Sequence, residues 1–266
     1  MILVLSDLHL GRGSRAESRA AERDAVALLR AHEAEVVGGG GTLVLLGDVF
    51  HEYIEYRHLV PKTAPRLVGL LADWCDRGAR VVYLVGNRDP WHLDFFRDEI
   101  GVGVLAGTWQ TVQHGRTLYF AHGDGLRPAE RLSFRLQPLL RSPVMARLFR
   151  MGLPGDGAFA LARWISRRFG TDGTPRPVVH TGLVEVATER LRTTEADVVA
   201  FGHSHQEALL ETAHGLYLNP GYWFSRRTFA RLDADGAALL RWADGTAEPL
   251  ARAAAASARP ALAPSL

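Results

Sequence analysis

Five short motifs gather side chains of the types that bind metal ions. They are, in chain order, Ser6-Asp7-Leu8-His9, Gly47-Asp48, Gly86-Asn87-Arg88-Asp89, His122-Gly123-Asp124 and Gly202-His203-Ser204-His205. Imidazole and carboxylate groups suit Mn, Fe, Zn or Co. A carboxylate between two cations can bridge them at about 3.5 to 4 Å, and Asp48, alone in its motif, is the natural bridge. The five motifs together predict a site for two metal ions.

The spacing within two of the motifs supports this prediction. Asp7 and His9 stand two positions apart, and so do His203 and His205. On an extended backbone both side chains of such a pair point the same way, so each pair is expected to face one site. Any one motif alone is more often a turn, the end of a strand or a hydrogen-bonded polar group. The prediction therefore depends on all five occurring together.

Each motif follows a short apolar segment that predicts a buried strand. Helical patterns lie between several of these strands, and the alternation predicts a layered α/β sandwich. The carboxyl ends of such strands collect at one edge, where ligands bind, so the motifs are expected to meet in space. After Gln206, short strand-like runs separated by turns predict an antiparallel region. The predicted strands are 2–5, 43–46, 81–85, 118–121 and 198–201, and the predicted helices are 16–37, 65–77 and 178–192.

An insert of different composition, residues 126 to about 170, mixes apolar residues with many arginines. Pro154-Gly155 divides it into two predicted helices, so we expect a helical hairpin inserted into a single domain of residues 1–250. Whether its apolar residues pack as core or line a lipid groove stays open, because periodicity does not separate the two. Residues 251–266 are rich in alanine, proline and serine and are expected to form a disordered tail.

Composition narrows the class of protein. A chain of 266 residues that is 47% hydrophobic and 23% charged can bury a full core. The single Cys75 excludes an internal disulfide, and no stretch reaches the roughly 18 apolar residues of a spanning helix. We therefore expect a cytoplasmic protein. Nucleic-acid binding is not expected, because the basic insert lacks aromatic side chains on an open strand surface.

In this order, the five motifs resemble those of the calcineurin-like metallophosphoesterases over residues 1 to about 243. The resemblance implies a four-layer α-β-β-α sandwich of mixed sheets, and a metal-bound hydroxide that attacks phosphorus. Manganese is the expected ion, with Fe, Zn, Co and Mg as alternatives. Asp89 and Asp124 would orient neighbouring loops or histidines. The implied ligands are Asp7, His9, Asp48 and His205 for one ion and Asp48, Asn87, His122 and His203 for the other.

Arg88 stands where many members of that family have a histidine that assists the leaving group. Arginine does not release a proton near neutral pH, but it can hold phosphate oxygens bidentately. A missing general acid matters least for a phosphate-monoester leaving group, whose second pKa is about 6. Arg88 therefore favours cleavage of a diphosphate, with Asp48 and Asn87 as the other candidate catalytic residues.

The GNRD motif is similar to that of the UDP-2,3-diacylglucosamine diphosphatases of the lipid A pathway, which release UMP and 2,3-diacylglucosamine 1-phosphate. Residues 47–50 and 219–223 agree with this subgroup, whereas His51 replaces an expected acid and Tyr222 an expected Asp or Ala. The subgroup's helical insert caps the site and receives acyl chains. The resemblance implies a nucleotide-diphosphate lipid substrate and peripheral contact with the cytoplasmic face of the inner membrane. The candidate substrate contacts are Arg88, Asn87, Arg131, Arg135 and Arg163.

Three functions are compatible with these residues. The first is a peripheral membrane hydrolase of UDP-2,3-diacylglucosamine. The second keeps the metal centre but acts on a soluble phosphodiester, a phosphoprotein or a nucleotide polyphosphate, and it predicts that the apolar residues of the insert are buried. The third, a noncatalytic scaffold, is disfavoured because all seven ligand positions are filled. No obligate protein partner is expected.

Overall fold

Two mixed β-sheets form the centre of the computed structural model, which describes residues 1–126, 143–152, 155–169 and 177–255. In spatial order, the first sheet contains β12 (Thr246–Ala254), β11 (Gly236–Ala243), β10 (Thr228–Asp233), β1 (Ile2–Leu5), β2 (Thr42–Leu46), β3 (Arg80–Leu84) and β4 (Gly103–Leu105). The second contains β5 (Thr108–Gln113), β6 (Arg116–Ala121), β7 (Val198–Phe201), β9 (Gly215–Asn219) and β8 (Ala208–Thr212).

The helices of the described residues are, in chain order, α1 (Arg15–Ala31), α2 (Pro65–Asp76), α3 (Pro143–Gly152), α4 (Gly155–Phe169), α5 (Pro177–Thr193) and α6 (Trp223–Arg226). The helices predicted at 65–77 and 178–192 are confirmed to within one residue at each end. The helix predicted at 16–37 is wrong in its last part, because α1 ends at Ala31 and a π-helical turn, Ala34–Gly38, follows. In that turn Val36 is fully buried, so the change of helical pitch accompanies its entry into the core.

The strands next to the predicted site are parallel. Strands β1, β2, β3 and β4 pair in parallel, with α1 and α2 as crossovers, and β6, β7 and β9 do the same in the second sheet. The antiparallel region predicted after Gln206 is confirmed for β8 with β9 and for β10 to β12. It is wrong for the other edge of β9, which inserts between β8 and β7 and pairs with β7 in parallel.

Alternation along the strands explains why they are apolar throughout. Ile2 and Val4 of β1 point between the two sheets, where they join buried side chains of β6, β7 and β9. Leu3 and Leu5 point the other way, into a cluster with α1 and α2. Because both faces of the strand are covered, neither set of positions can be polar without burying an unpaired group.

Helices cover the outer face of each sheet and complete four layers. Helix α1 begins with a capping box, in which the Ser14 hydroxyl accepts from the Glu17 N–H and the Glu17 carboxylate accepts from the Ser14 N–H. On the far side, α5 packs Leu183, Ala187 and Leu191, spaced four residues apart, against the second sheet. The predicted α-β-β-α sandwich is therefore confirmed.

Within the described part of the predicted insert, α3 ends at Gly152 and α4 begins at Gly155, on either side of the predicted break. Arg131 and Arg135 lie outside the described residues, as does the side chain of Arg163 on α4. The expected tail is wrong at its start, because residues 251–254 continue β12, where pairing with β11 needs only backbone groups. The remainder from residue 256 lies outside the described residues. Among the helices of the described ranges, none is long and apolar enough to cross a membrane.

Candidate metal centre

The five motifs meet in space, as their positions after five strands predict. Three of them follow β1, β2 and β3 of the first sheet, and two follow β6 and β7 of the second. Backbone hydrogen bonds tie these loops together: the Asp7 N–H donates to the Gly47 carbonyl over 3.1 Å and the Gly202 N–H to the His122 carbonyl over 2.9 Å. The site therefore lies where the carboxyl edges of both sheets come together.

Asp7, His9 and His205 form one group of buried ligand atoms that lie within 4.8 Å of one another. Nε2 of His205 lies 3.2 Å from Oδ1 of Asp7, and Nε2 of His9 lies 3.6 Å from the same oxygen. The two Nε2 atoms are themselves 3.1 Å apart. Three ligands thus converge on a space that a single cation can fill.

A second group joins Asp7 and Asp48 to His122, again within 4.8 Å. Oδ2 of Asp48 is 3.6 Å from Nε2 of His9 and 3.6 Å from Nε2 of His122, so this carboxylate lies between the two groups, where a bridging ligand would be. Oδ1 of Asn87 is 3.3 Å from Nε2 of His122. The His203 ring lies 5.2 Å from the His122 ring, which places it beside the second group.

The chemistry of these donors fits divalent ions. Oδ1 of Asp7 is buried and accepts no hydrogen bond of good geometry from any described residue, whereas its Oδ2 accepts from the Ser6 hydroxyl and the His203 N–H. Nδ1 of His122 lies 2.8 Å from the Leu46 carbonyl. If Nδ1 donates there, the lone pair of Nε2 faces the centre, which is the tautomer that a metal ligand needs.

Electrostatics inside the site keep the carboxylates charged. Burial by itself would raise the pKa of Asp7 and Asp48, but neighbouring histidines outweigh it and hold both pKa values below the usual range. Burial lowers the pKa of His9 to about 4, so its ring is neutral near pH 7. His122 differs, because Asp48 outweighs burial and raises its pKa well above the usual value. Metal binding at His122 must therefore displace a proton.

The backbone at the ligands departs from the expected conformation. Asp7, His9 and Asp48 have φ of 53°, 43° and 51°, and His203 and His205 have φ of 64° and 57°. The extended pairs predicted from the two-residue spacing are therefore wrong, because left-handed turns aim these side chains. Such conformations are costly for residues other than glycine and cluster at functional sites.

Two glycines of the motifs are required by close approach. A Cβ at Gly86 would collide with the side chain and backbone nitrogen of Asp48, and one at Gly202 would collide with the Ser6 hydroxyl. Any larger residue at these positions would displace a side chain of the centre or its hydrogen-bond partner. The glycine that precedes the ligands in these two motifs is thus explained by packing at the site.

Asp89 connects two loops of the centre through hydrogen bonds to their backbone. Its side chain is fully buried, and it accepts hydrogen bonds from the N–H groups of Val49 at 2.7 Å and Gly86 at 2.8 Å and from the Tyr83 hydroxyl. Burial, helped by the charge of Asp48, raises its pKa to about 6. Asp89 therefore links the loops that follow β2 and β3. Asp124, which is partly buried, exerts its charge on His122.

Replacing Asp89 by Asn should weaken metal binding by about 10- to 100-fold. The amide keeps the shape but turns a donor group toward backbone N–H groups, so the unfolding free energy should also fall by about 1 to 3 kcal/mol. Metal titration and thermal unfolding measure the two effects. Asp98→Asn, on an exposed ion pair with Arg97, is the matched control. Unchanged metal affinity in Asp89→Asn would contradict this role.

Three further residues, His51, Tyr222 and Arg12, lie at the centre, and the motif pattern singled out only the first two. Nδ1 of His51 is 3.3 Å from Nδ1 of His9. Burial lowers the pKa of His51 to about 3, helped by repulsion from His9 whenever that ring is protonated and from the charges of Arg88 and Arg12. The Tyr222 ring stacks on the ring of His205. His51 and Tyr222 were visible as departures from the motif pattern, whereas nothing in the sequence pointed to Arg12.

Comparison with known proteins agrees with this site. Residues 1–207 match the family model of the calcineurin-like phosphoesterases. The chain is 28% identical to a UDP-2,3-diacylglucosamine hydrolase of Porphyromonas gingivalis, over 87% of this chain and 94% of that protein. It is also 28% identical to a UDP-2,3-diacylglucosamine hydrolase of Ralstonia nicotianae, over 94% of this chain and 92% of that protein. Its fold is similar to that of Yfce, a phosphoesterase from E. coli, with a TM-score of 0.50 and 17% identity over 95% of this chain and 98% of that one.

Proposed function

Because this chain belongs to the calcineurin-like phosphoesterase family and is a hydrolase, we propose that it cleaves the diphosphate of UDP-2,3-diacylglucosamine to UMP and 2,3-diacylglucosamine 1-phosphate. Its curated relatives are named as hydrolases of that compound. The observation of this structure that carries the proposal is the position of Arg88. The backbone N–H of Arg88 donates to Oδ1 of Asp48 over 2.7 Å, and the charge of its side chain acts on His51 beside the centre.

Two divalent ions, with manganese first among the candidates, are part of this proposal. Asp7, His9 and His205 would hold one ion, and His122 with Asn87 and His203 the other, with Asp48 shared. When bound, such ions make water acidic enough to supply a nucleophile near neutral pH and offset charge on the phosphoryl oxygens. The chain's own contribution is to hold the carboxylates charged, to keep His9 neutral and to exclude bulk water by burial.

Arg88 determines which bond is broken. A guanidinium beside the centre can hold phosphate oxygens through two parallel hydrogen bonds and stabilise charge, but it cannot give a proton to a departing alkoxide. A nucleoside monophosphate leaves as an anion without such a proton. The residue therefore favours a phosphoanhydride over an alkyl phosphodiester.

Release of UMP by the manganese-loaded protein tests the proposal. We expect Arg88→Lys to lower kcat/KM for UDP-2,3-diacylglucosamine by about 10- to 100-fold, because a point charge replaces a bidentate donor. Metal content should not change. Arg97→Lys, on an exposed pair, is the control. If the wild-type chain releases no UMP with either manganese or magnesium, the proposed substrate is wrong.

A cavity lined in part by Gly11 and Glu52, which are close in the chain to His9 and His51, supports a lipid substrate over a soluble one. It has a volume of about 480 Å³ and lies between the loop that follows His51 and the first turns of α4. Apolar side chains from both sides line it, among them Ile54, Tyr56, Leu59 and Phe159. The soluble-substrate alternative predicted that the apolar residues of the insert are buried. Val144, Met151 and Trp164 are instead 67%, 74% and 59% exposed.

These exposed side chains also support peripheral binding to the cytoplasmic face of the inner membrane, which we include in the proposal. Trp164→Ser should lower the partitioning of the protein onto anionic lipid vesicles by about tenfold or more, since it removes one large apolar side chain from the interface. Co-sedimentation with vesicles measures this. Val112→Ser, at a 70% exposed position on β5, serves as the control. Equal partitioning of Trp164→Ser and wild type would contradict membrane contact through the insert.

A further inference from the structure

Tyr222 covers the first group of ligands. Its ring lies parallel to that of His205, with centroids 4.3 Å apart and an angle of 3° between the planes. It also meets the edge of His9, at 5.5 Å between centroids. The residue is only 3% exposed. One side chain thus contacts two of the histidines that converge on Asp7.

The segment around Tyr222 is fixed from three directions. The Asn219 amide donates to the Gly202 carbonyl over 3.0 Å, and its oxygen accepts from the Gly221 N–H over 2.9 Å. Gly221 has φ of 86°, and a Cβ there would press on Glu207. Trp223 is fully buried and donates its indole N–H to the Ala21 carbonyl of α1 over 3.0 Å. The position of Tyr222 is therefore set by the fold.

The hydroxyl of Tyr222 is a buried donor that the described residues leave unsatisfied. It is buried and makes no hydrogen bond of acceptable geometry with any described residue, although the Arg12 guanidinium approaches it. Leaving a buried hydroxyl unpaired is costly. A ligand that enters the centre and accepts a hydrogen bond would satisfy it.

Positive charge surrounds this hydroxyl. Arg12, on the loop between β1 and α1, and Arg88, on the loop after β3, both act on Tyr222 and both act on His51. Arg12 is partly buried, and its N–H donates to the His9 carbonyl over 3.0 Å, which anchors it to the metal-ligand loop. The nearby negative charge of Asp7 would be balanced by the ion that it binds. Both guanidinium groups therefore act on the Tyr222 hydroxyl and on His51.

We propose that the Tyr222 hydroxyl and the Arg12 guanidinium, together with Arg88, form a phosphate-binding subsite of the active centre. A phosphate oxygen is an acceptor with negative charge, so it matches a phenolic donor and two cations, whereas a neutral sugar or acyl group would not. The subsite binds a phosphate of the substrate before and during attack. This inference rests on the proposed function only in requiring a phosphate compound, not in requiring the diacylglucosamine lipid.

Binding of inorganic phosphate to the manganese-loaded full-length protein, measured by calorimetry, tests the subsite without any lipid. Tyr222→Phe removes one oxygen and keeps the stacked ring, so phosphate affinity should fall about 10- to 100-fold, as expected for one hydrogen bond to a charged group. Metal content and melting temperature should stay at the wild-type values. Tyr119→Phe, buried in the second sheet beside Phe201, is the control and should bind phosphate normally.

Arg12→Gln gives a second, independent measurement. It should weaken phosphate binding by a similar factor and reduce its dependence on salt concentration. Wild-type phosphate affinity in Tyr222→Phe would overturn the inference, and so would loss of metal together with phosphate, because the hydroxyl would then act on the metal centre. If the variants lose phosphate affinity while the wild type releases no UMP from the lipid, the subsite stands and the proposed substrate fails.

Discussion

Replacing Asp48 by Asn should lower kcat about a thousandfold and reduce the amount of metal bound per chain. Oδ2 of Asp48 lies 3.6 Å from both His9 and His122, so it is the carboxylate between the two ligand groups. The amide has the same shape but lacks the negative charge that two adjacent cations require. The substitution also removes the charge of Asp48, which raises the pKa of His122.

Metal analysis by mass spectrometry and the rate of UMP release measure these effects. Asp73→Asn provides the control, since Asp73 of α2 is an exposed aspartate in an ion pair with Arg77. That variant should keep the wild-type rate and metal content. A variant Asp48→Asn that retains full metal content and more than a tenth of the wild-type rate would contradict the role of Asp48 as the shared ligand.

Removal of metal by a chelator should abolish hydrolysis and lower the thermal stability of the protein. The centre buries Asp7 and Asp48 side by side at 0% and 2% exposure, and bound cations relieve the repulsion between them. A ligand present at 100 times its dissociation constant stabilises the native state by about 2.7 kcal/mol. Adding manganese back should therefore restore both activity and melting temperature.

The change in melting temperature on adding manganese reports metal binding independently of catalysis. In Asp48→Asn the rise in melting temperature on adding manganese should be smaller than in the wild type, because fewer charged ligands remain. A titration across Mn, Fe, Zn, Co and Mg under the same conditions would rank the ions. Full activity in protein shown by mass spectrometry to be free of metal would refute the metal mechanism.

The parts of this protein that depend on local spacing are predictable from the order of its residues. Apolar segments placed β1, β2, β3, β6 and β7 to within a residue or two, because strands buried on both faces leave a continuous hydrophobic run. Polar residues directly after those strands had to share one edge, which gave the candidate ligands. Arg88 was readable from its place within a motif, and the preference for a diphosphate that we infer from it stays a prediction.

Other properties required contacts between residues far apart in the chain. His9 and His205 are 196 positions apart, and their Nε2 atoms meet at 3.1 Å. The left-handed turns that aim the ligands replace the extended pairs that spacing alone implied, because loop geometry is fixed by bonds between loops, such as those of Asp89.

Long-range packing determines which residues surround the metal centre without belonging to its motifs. Arg12 precedes α1 and Tyr222 precedes α6, and no periodicity connects them. They meet because β10 pairs with β1 and Trp223 docks beneath α1, which carries Tyr222 over His205. The pattern of hydrophobic residues indicates which face of a helix or strand is buried, but not which distant element covers that face. The phosphate-binding subsite therefore became visible only when the chain was folded.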